Sequence, residues 1–430
     1  MFFSFKEDLL HYLWKYQLFR TPDLKTKSGK SLHILRQGML QTNAGPDFIQ
    51  AKIQIDQIIL AGTIEVHVQE GEWIQHKHHL DASYNTVVLH VVWESKNSYT
   101  YLENQQPIEV LTLQDKVDER LLARYATLMN TKTEVPCAKL YKPIHPSLLH
   151  CFLQELCVER LERKVITIYR LLETTHNDWN QVVFMQLARY MGSSINNETL
   201  QQLAYSIPVQ IIHKNFDQPS IIEAILFGQS GLLRAYHTDE YPTTLYREYQ
   251  YQKRLHGLEG MNASSWKYAR LRPASFPNIR IAQLAALVSS GKWSIELLVS
   301  IDSYSAFKQL FEVTIHSYWS SHYDFEKERG TPFEPSIGEA SIITLYINFF
   351  VPLLFAYGKE TDNEEICERA FVLLEQVPFE KNKITAAFPF LTVERRCAAD
   401  SQALIELRTN YCATSRCLDC AIGNEILKGK

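Results

Sequence analysis

Three polar side chains in one short stretch are placed to do chemistry together. Asp47 follows Gly45-Pro46 and opens the apolar run Phe48–Ile55, while Glu65 and His67 sit two residues apart in the run Ile58–Val68. Side chains on a strand alternate with period two, so Glu65 and His67 face one way while Ile64, Val66 and Val68 face a core. Two carboxylates and an imidazole on adjacent strands suit a hard divalent cation, Mg2+ or Mn2+. Such a cation activates water and neutralises charge building on a phosphate. The plainer alternative has Asp47 capping a turn and Glu65 and His67 on a solvated face.

The neighbouring elements must hold this stretch in place. Phe5–Phe19 carries a helical stripe of Leu9, Leu10, Tyr12, Leu13, Trp14 and Leu18, with Glu7 and Asp8 in its first turn. Thr21–Lys30 reads as a loop and Leu32–Leu35 as a strand. Phe48–Ile55 and Ile58–Val68, joined at Asp56-Gln57, read as a hairpin. Glu72–Tyr84 is a polar, histidine-rich helix or ordered loop. Thr86–Trp93 is apolar throughout, which fits a central strand, and Ile108–Leu113 is one more. Residues 1–130 thus read as an α/β domain, ordered helix, three strands, helix or loop, strand. Asn130–Pro146, with Pro136 and Pro143, reads as a linker. Residues 147–395 form an α-helical domain, with a long helix at Leu148–Leu172 and others including Thr199–Tyr205 and Ser305–Tyr318. Residues 396–430 form a short Cys-rich tail.

Composition narrows the function classes. A chain of 430 residues has room for two or three domains. Its formal net charge of -4 excludes a bulk electrostatic affinity for nucleic acid and leaves room for a local basic groove. The start lacks a basic segment followed by an apolar one, so no signal peptide is expected. The longest apolar run, Ile342–Tyr357, holds Asn348 and Pro352 and is expected to be a buried helix interrupted at the proline, short of a membrane span. A cytoplasmic protein with no membrane partner is expected, its cysteines mostly thiols.

Three further clusters carry possible chemistry. His76, His78 and His79 precede Asp81 and His90; on a helix, His76 and His79 would share a face and bind zinc, with Asp81 or His67 as third ligand. The same segment could instead contact substrate, or be structural only. Lys267, Arg270 and Arg272 fall among Trp266, Tyr268 and Phe276, a composition that suits phosphate contact and base stacking; solvated faces or interior ion pairs are the alternative. Cys412-x4-Cys417-x2-Cys420, with Cys397 upstream as fourth thiolate, suits structural zinc. The four-then-two spacing also occurs in iron–sulfur ligation, where the fourth cysteine lies elsewhere, and three metal-free thiols are a third reading. Cys137, Cys151, Cys157 and Cys367 read as small buried residues.

Two resemblances follow from these residues. Over Leu9–Leu427 the chain resembles the bacterial domain-of-unknown-function family 2851, through Tyr12-Leu13-Trp14, Asn43-Ala44-Gly45-Pro46-Asp47-Phe48, Glu65-Val66-His67, His76 to Asn85, Phe227-Gly228-Gln229-Ser230-Gly231-Leu232-Leu233, Arg270-Leu271-Arg272-Pro273 and Cys417-Leu418-Asp419-Cys420-Ala421-Ile422-Gly423. About the first quarter also resembles the PD-(D/E)xK nuclease superfamily, with Glu7, Asp47, Glu65 and His67 in its motif slots. That resemblance implies a restriction-endonuclease-like fold and a catalytic set in which Glu7 completes the metal shell or holds a metal-bound water. His67 stands where the superfamily has lysine; a neutral imidazole can hydrogen-bond the attacking water but supplies no fixed charge.

The expected function is a metal-dependent nuclease. Asp47 and Glu65 would hold Mg2+ or Mn2+, with His67 and Glu7 beside them. His76, His79, Lys267, Arg270 and Arg272 would contact DNA or RNA, and the tail would carry zinc or an iron–sulfur cluster. The alternatives are a non-catalytic nucleic-acid-binding or assembly protein of the same fold, and a zinc-dependent hydrolase built on His76–His79.

Overall fold

Alternating apolar residues in the first third of the chain build a curled mixed sheet. In the computed structural model the described residues are 6–41, 44–96, 99–391 and 396–429. Asn43 of the quoted motif lies outside them, as do residues 1–5, on which the signal-peptide expectation and the start of the first helix rest. The strands are β1 (Leu32–Arg36), β2 (Met39–Leu40), β3 (Phe48–Ile55), β4 (Ile58–Gln69), β5 (Val87–Glu94) and β6 (Val110–Thr112). They are ordered β1-β3-β4-β5-β6, with β2 beside β3. β1, β3 and β4 pair antiparallel, whereas β4–β5 and β5–β6 are parallel.

A parallel pair needs a crossover. Residues 70–86 provide it through α2 (Glu72–Gln75) and two short 3-10 turns. Where the crossover ends, Thr63 N–H donates to Thr86 O at 2.9 Å. A Cβ on the preceding Gly62 would lie 2.3 Å from the same oxygen, so only glycine permits this approach.

The helix α1 (Glu7–Lys15) packs on β4 through the face that buries Leu9, Leu10, Leu13 and Trp14. The Trp14 indole N–H donates to Gln37 O at 2.9 Å, which pins the far end of the helix. The helix α3 (Glu119–Asn130) begins at an Asp118 cap, whose Oδ1 accepts the Arg120 N–H at 2.7 Å.

The structure divides into two compact units, Met1–Phe152 with Ala386–Thr392 and Leu407–Lys430, and Leu153–Thr385 with Val393–Glu406. The residues expected as a third, Cys-rich unit are shared between these two. In the first unit, the Arg124 guanidinium of α3 donates to Leu427 O at 2.8 Å, tying down the final helix, Ala421–Lys428. The stretch read as a linker is also part of this unit: Val135, Pro136 and Cys137 are buried. Prolines here shape a packed segment rather than an exposed tether.

The second unit is mainly helical. The helix expected at Ser305–Tyr318 is instead two short ones, Tyr304–Gln309 and Tyr318–Ser321. Between them Val313-Thr314-Ile315 is β-branched throughout, which disfavours continued helix. The apolar run differs as well. Glu339–Glu360 is long and apolar enough to cross a membrane, but 67% of its most apolar window is buried inside the protein. Pro352 does not break it: the helix passes through a wider π turn, Tyr346–Phe350, just before the proline and continues as Val351–Glu360.

Candidate metal and acid–base site

The strand pattern places Glu65 and His67 side by side as expected, and the fold then covers them. They are 4% and 2% exposed, so the solvated-face alternative does not hold. Asp47 and Glu65 brace each other. The Asp47 N–H donates to Glu65 Oε2 at 3.2 Å, and Asp47 Oδ2 accepts the Val66 N–H at 2.9 Å. From α1, His11 Nε2 reaches Asp47 Oδ2 at 3.2 Å.

Glu7 closes the group one helical turn before His11. Burial, then the Asp47 charge, pushes its carboxyl from 4.5 up to about 7. Burial, then Asp47, pushes Glu65 up to about 9, with Glu7 adding to the effect. Three carboxyls so placed repel one another when ionised, which is the situation a divalent cation relieves.

The imidazoles form the other half of the site. His67 Nε2 and His78 Nε2 lie 3.5 and 3.4 Å from Glu65 Oε1. The ligand nitrogens of His67, His76 and His78 lie within 4.8 Å of one another. His78 rests on the Tyr84 ring with centroids 3.9 Å apart. Burial, then neighbouring imidazoles with His90 foremost, pushes His67 down to about 2, so its ring is neutral.

A chain of hydrogen bonds behind His67 decides which nitrogen is free. The Glu70 carboxylate, paired with Lys27 Nζ at 2.7 Å, accepts from the Thr100 hydroxyl at 3.4 Å. Thr100 Oγ1 then accepts from His90 Nδ1 at 2.9 Å, which leaves His90 Nε2 as an acceptor. His67 Nδ1–H donates to it at 2.8 Å. With the Thr100 proton directed to Glu70, the lone pair of His67 sits on Nε2, facing Glu65, in the form a metal ligand requires.

The nitrogens of His67, His76 and His78 lie near enough to one another to share a divalent metal, and Glu65 Oε1 lies beside two of those rings. Mixed nitrogen and oxygen donors favour manganese, iron or zinc over magnesium. A cleft of about 520 Å3 reaches His11, with Lys6, Lys15 and Arg416 among its walls together with Asp8 and Asp419.

Several expected residues fall elsewhere. His79 does not pair with His76. The helix ends at Gln75, and Lys77 adopts a left-handed backbone with φ 65°, so His78 turns inward and His79 packs against Tyr101. Lys267, Arg270 and Arg272 are exposed on the second unit. The rings among them do not form a stacking platform: Trp266 is 6% exposed with its indole N–H bonded to Ser230 O, and the Tyr268 hydroxyl bonds Asn278. Cys397 belongs to the second unit, where its thiol meets Asp400 Oδ2 at 3.6 Å and neighbours Cys157. His11 was not singled out from the sequence, though its place four residues after Glu7 on one helical face is the signal for it.

An α/β unit with a buried carboxylate–imidazole site, accompanied by a helical unit, defines the architecture. The chain belongs to the family described as "Protein of unknown function (DUF2851)", which matches residues 7–383. The match takes in Glu7 through His90 and stops short of the C-terminal cysteines, so Cys417–Gly423 falls outside the matched region. No curated protein matches the chain, and no solved structure does.

Proposed function

We propose that the first unit is a metal-dependent hydrolase that cleaves phosphodiester bonds in DNA or RNA. The observation that carries the reading is the bracing of Asp47, from a loop, against Glu65, from a strand, with Nε2 of His67 beside Glu65 and Glu7 of the first helix near enough to act on both carboxyls. The order of elements supports it too: a helix, antiparallel strands with Asp at the start of one and Glu-x-His in the next, a crossover, then a parallel strand. That order agrees with the one the nuclease resemblance implies. Asp47 and Glu65 would hold the cation, and the cation would lower the pKa of a bound water and offset charge on the phosphate. His11, ion-paired with Asp47 and held above its ordinary value by that partner against the opposing effect of burial, is placed to carry a proton. Lys267, Arg270 and Arg272 would serve as backbone contacts only.

The approach of His67, His76 and His78 favours a second reading of the same site, a zinc-dependent hydrolase with His78 in the role first given to His79. One experiment separates these readings. Full-length protein is incubated with single- and double-stranded DNA and RNA in Mg2+, Mn2+ or Zn2+, beside Asp47→Ala. Cleavage in Mg2+ or Mn2+ that Asp47→Ala abolishes is the expected result, and activity in zinc alone selects the second reading. Equal cleavage by both proteins, or binding without cleavage by either, overturns the proposal.

A further inference from the structure

Four cysteines of the first unit converge from places that no local spacing connects. Cys137, in the buried segment after α3, and Cys412, Cys417 and Cys420, near the end of the chain, line one small cavity. Every pairing among the four is near enough for their charges to interact. Apart from Arg416, the wall is largely apolar, with Phe388, Phe390 and Ile422. None of the four is in a disulfide.

Two local features prepare these sulfurs for a ligand. Cys420 stands at the N-terminal cap position of the helix Ala421–Lys428, which fixes its place on the cavity wall. A Cβ on Gly423 would lie 2.1 Å from Cys417 O, so glycine is what allows the helix start to close on the Cys417 turn. Four thiols lining one largely apolar cavity offer the sulfur donors that soft and borderline metals take.

We propose that Cys137, Cys412, Cys417 and Cys420 form a four-thiolate metal centre holding an iron–sulfur cluster, with Cys137 in the place that spacing alone gave to Cys397. Structural zinc sites draw their cysteines in close pairs. Here three come from one C-x4-C-x2-C run, the spacing of plant-type cluster ligation, and the fourth stands alone, upstream of the run where that pattern has it downstream. Binding releases the four thiol protons to solvent. The centre also has work near the candidate site: Thr414, Ser415, Arg416, Leu418 and Asp419, carried on the Cys412–Cys420 loop, line the cleft that reaches His11. Loading the cysteines would thus fix one wall of that cleft.

The test uses full-length protein purified without oxygen and analysed for iron, zinc and acid-labile sulfide, with visible absorption. Wild type is expected to carry iron and sulfide in stoichiometric amounts. Cys137→Ser should lose at least nine-tenths of both, while Cys397→Ser and Asp47→Ala retain them. Loss in Cys397→Ser with retention in Cys137→Ser overturns the ligand set. Zinc in place of iron overturns the cluster, and metal-free wild type overturns the centre. Should Cys137→Ser fail to fold, Co2+ added to metal-free wild type supplies the second measure. A thiolate-to-cobalt absorption band supports four-sulfur ligation, and its absence counts against it. Because Asp47→Ala is expected to keep this metal, failure here and failure of the hydrolase reading are separate results.

Discussion

The carboxylate–imidazole site and the cysteine cavity lie in the same unit, yet they are assembled in opposite ways. The first is built on regular elements. Glu65 and His67 share a strand face, Glu7 and His11 share a helix face, and the register of β4 against β5 sets Glu65 opposite His90. The second is built by tertiary closure, from a buried irregular segment and the turns before the last helix. Periodicity therefore announces the first site, while only the folded chain names the fourth cysteine of the second. The two also differ in chemistry. One collects hard and borderline donors that repel one another when charged, and the other collects soft thiols in an apolar wall.

The largest effect should come from the first site's own ligands. Asp47→Ala and Glu65→Gln are each expected to lower metal-dependent cleavage by about 100-fold or more, measured on a labelled oligonucleotide. The supporting chain should matter less. His90→Ala removes the acceptor that fixes His67, and metal affinity should fall by about 10- to 100-fold, measured by calorimetry. An unchanged affinity would mean that His67 is not a ligand.

Stability should report on the carboxyls and the imidazoles of the first site with opposite dependence on pH. Glu65 and Glu7 are raised in the folded chain, so their contribution is full below about 4.5 and is lost as pH rises toward about 7 and about 9. His67 and His90 are depressed to about 2 and about 3, so theirs is full above about 6.5 and is lost as pH falls below it. Mn2+ should accordingly raise the melting temperature more near pH 8.5 than near pH 5.5, since it replaces the protons that the carboxyls otherwise keep. Gly62→Ala should cost about 1–3 kcal/mol in urea unfolding through its clash with Thr86 O. The smallest effect is expected from Arg270→Ala, which should weaken nucleic-acid binding modestly and reduce its salt dependence by about one contact.

Much of the sheet was legible because strands in a covered sheet carry their pattern openly. β3, β4 and β5 fall within a residue or so of their expected limits. The convergence of Asp47 with Glu65 followed from that pattern. What the sequence hid were backbone events and long-range closures. A left-handed residue at Lys77 exchanges His79 for His78, and nothing in a polar histidine-rich run signals it. Prolines around Val135–Cys137 resemble a linker because composition does not distinguish an exposed tether from a buried one. Cys397 shares the tail with the other three cysteines, but chain proximity is not spatial proximity. The Thr100–Glu70–Lys27 relay behind His90 joins residues with no common spacing, so only coordinates reveal it.

Binding of Mn2+ tests the central claim most directly, because this ion prefers nitrogen and oxygen donors and avoids competition from the thiols. Equilibrium binding followed by electron paramagnetic resonance should find saturable Mn2+ in wild type and in Cys412→Ser, and a loss of at least tenfold in affinity in Asp47→Ala and Glu65→Gln. Equal affinity in all four proteins, or no binding by wild type, would contradict a cation site at Glu7, Asp47 and Glu65.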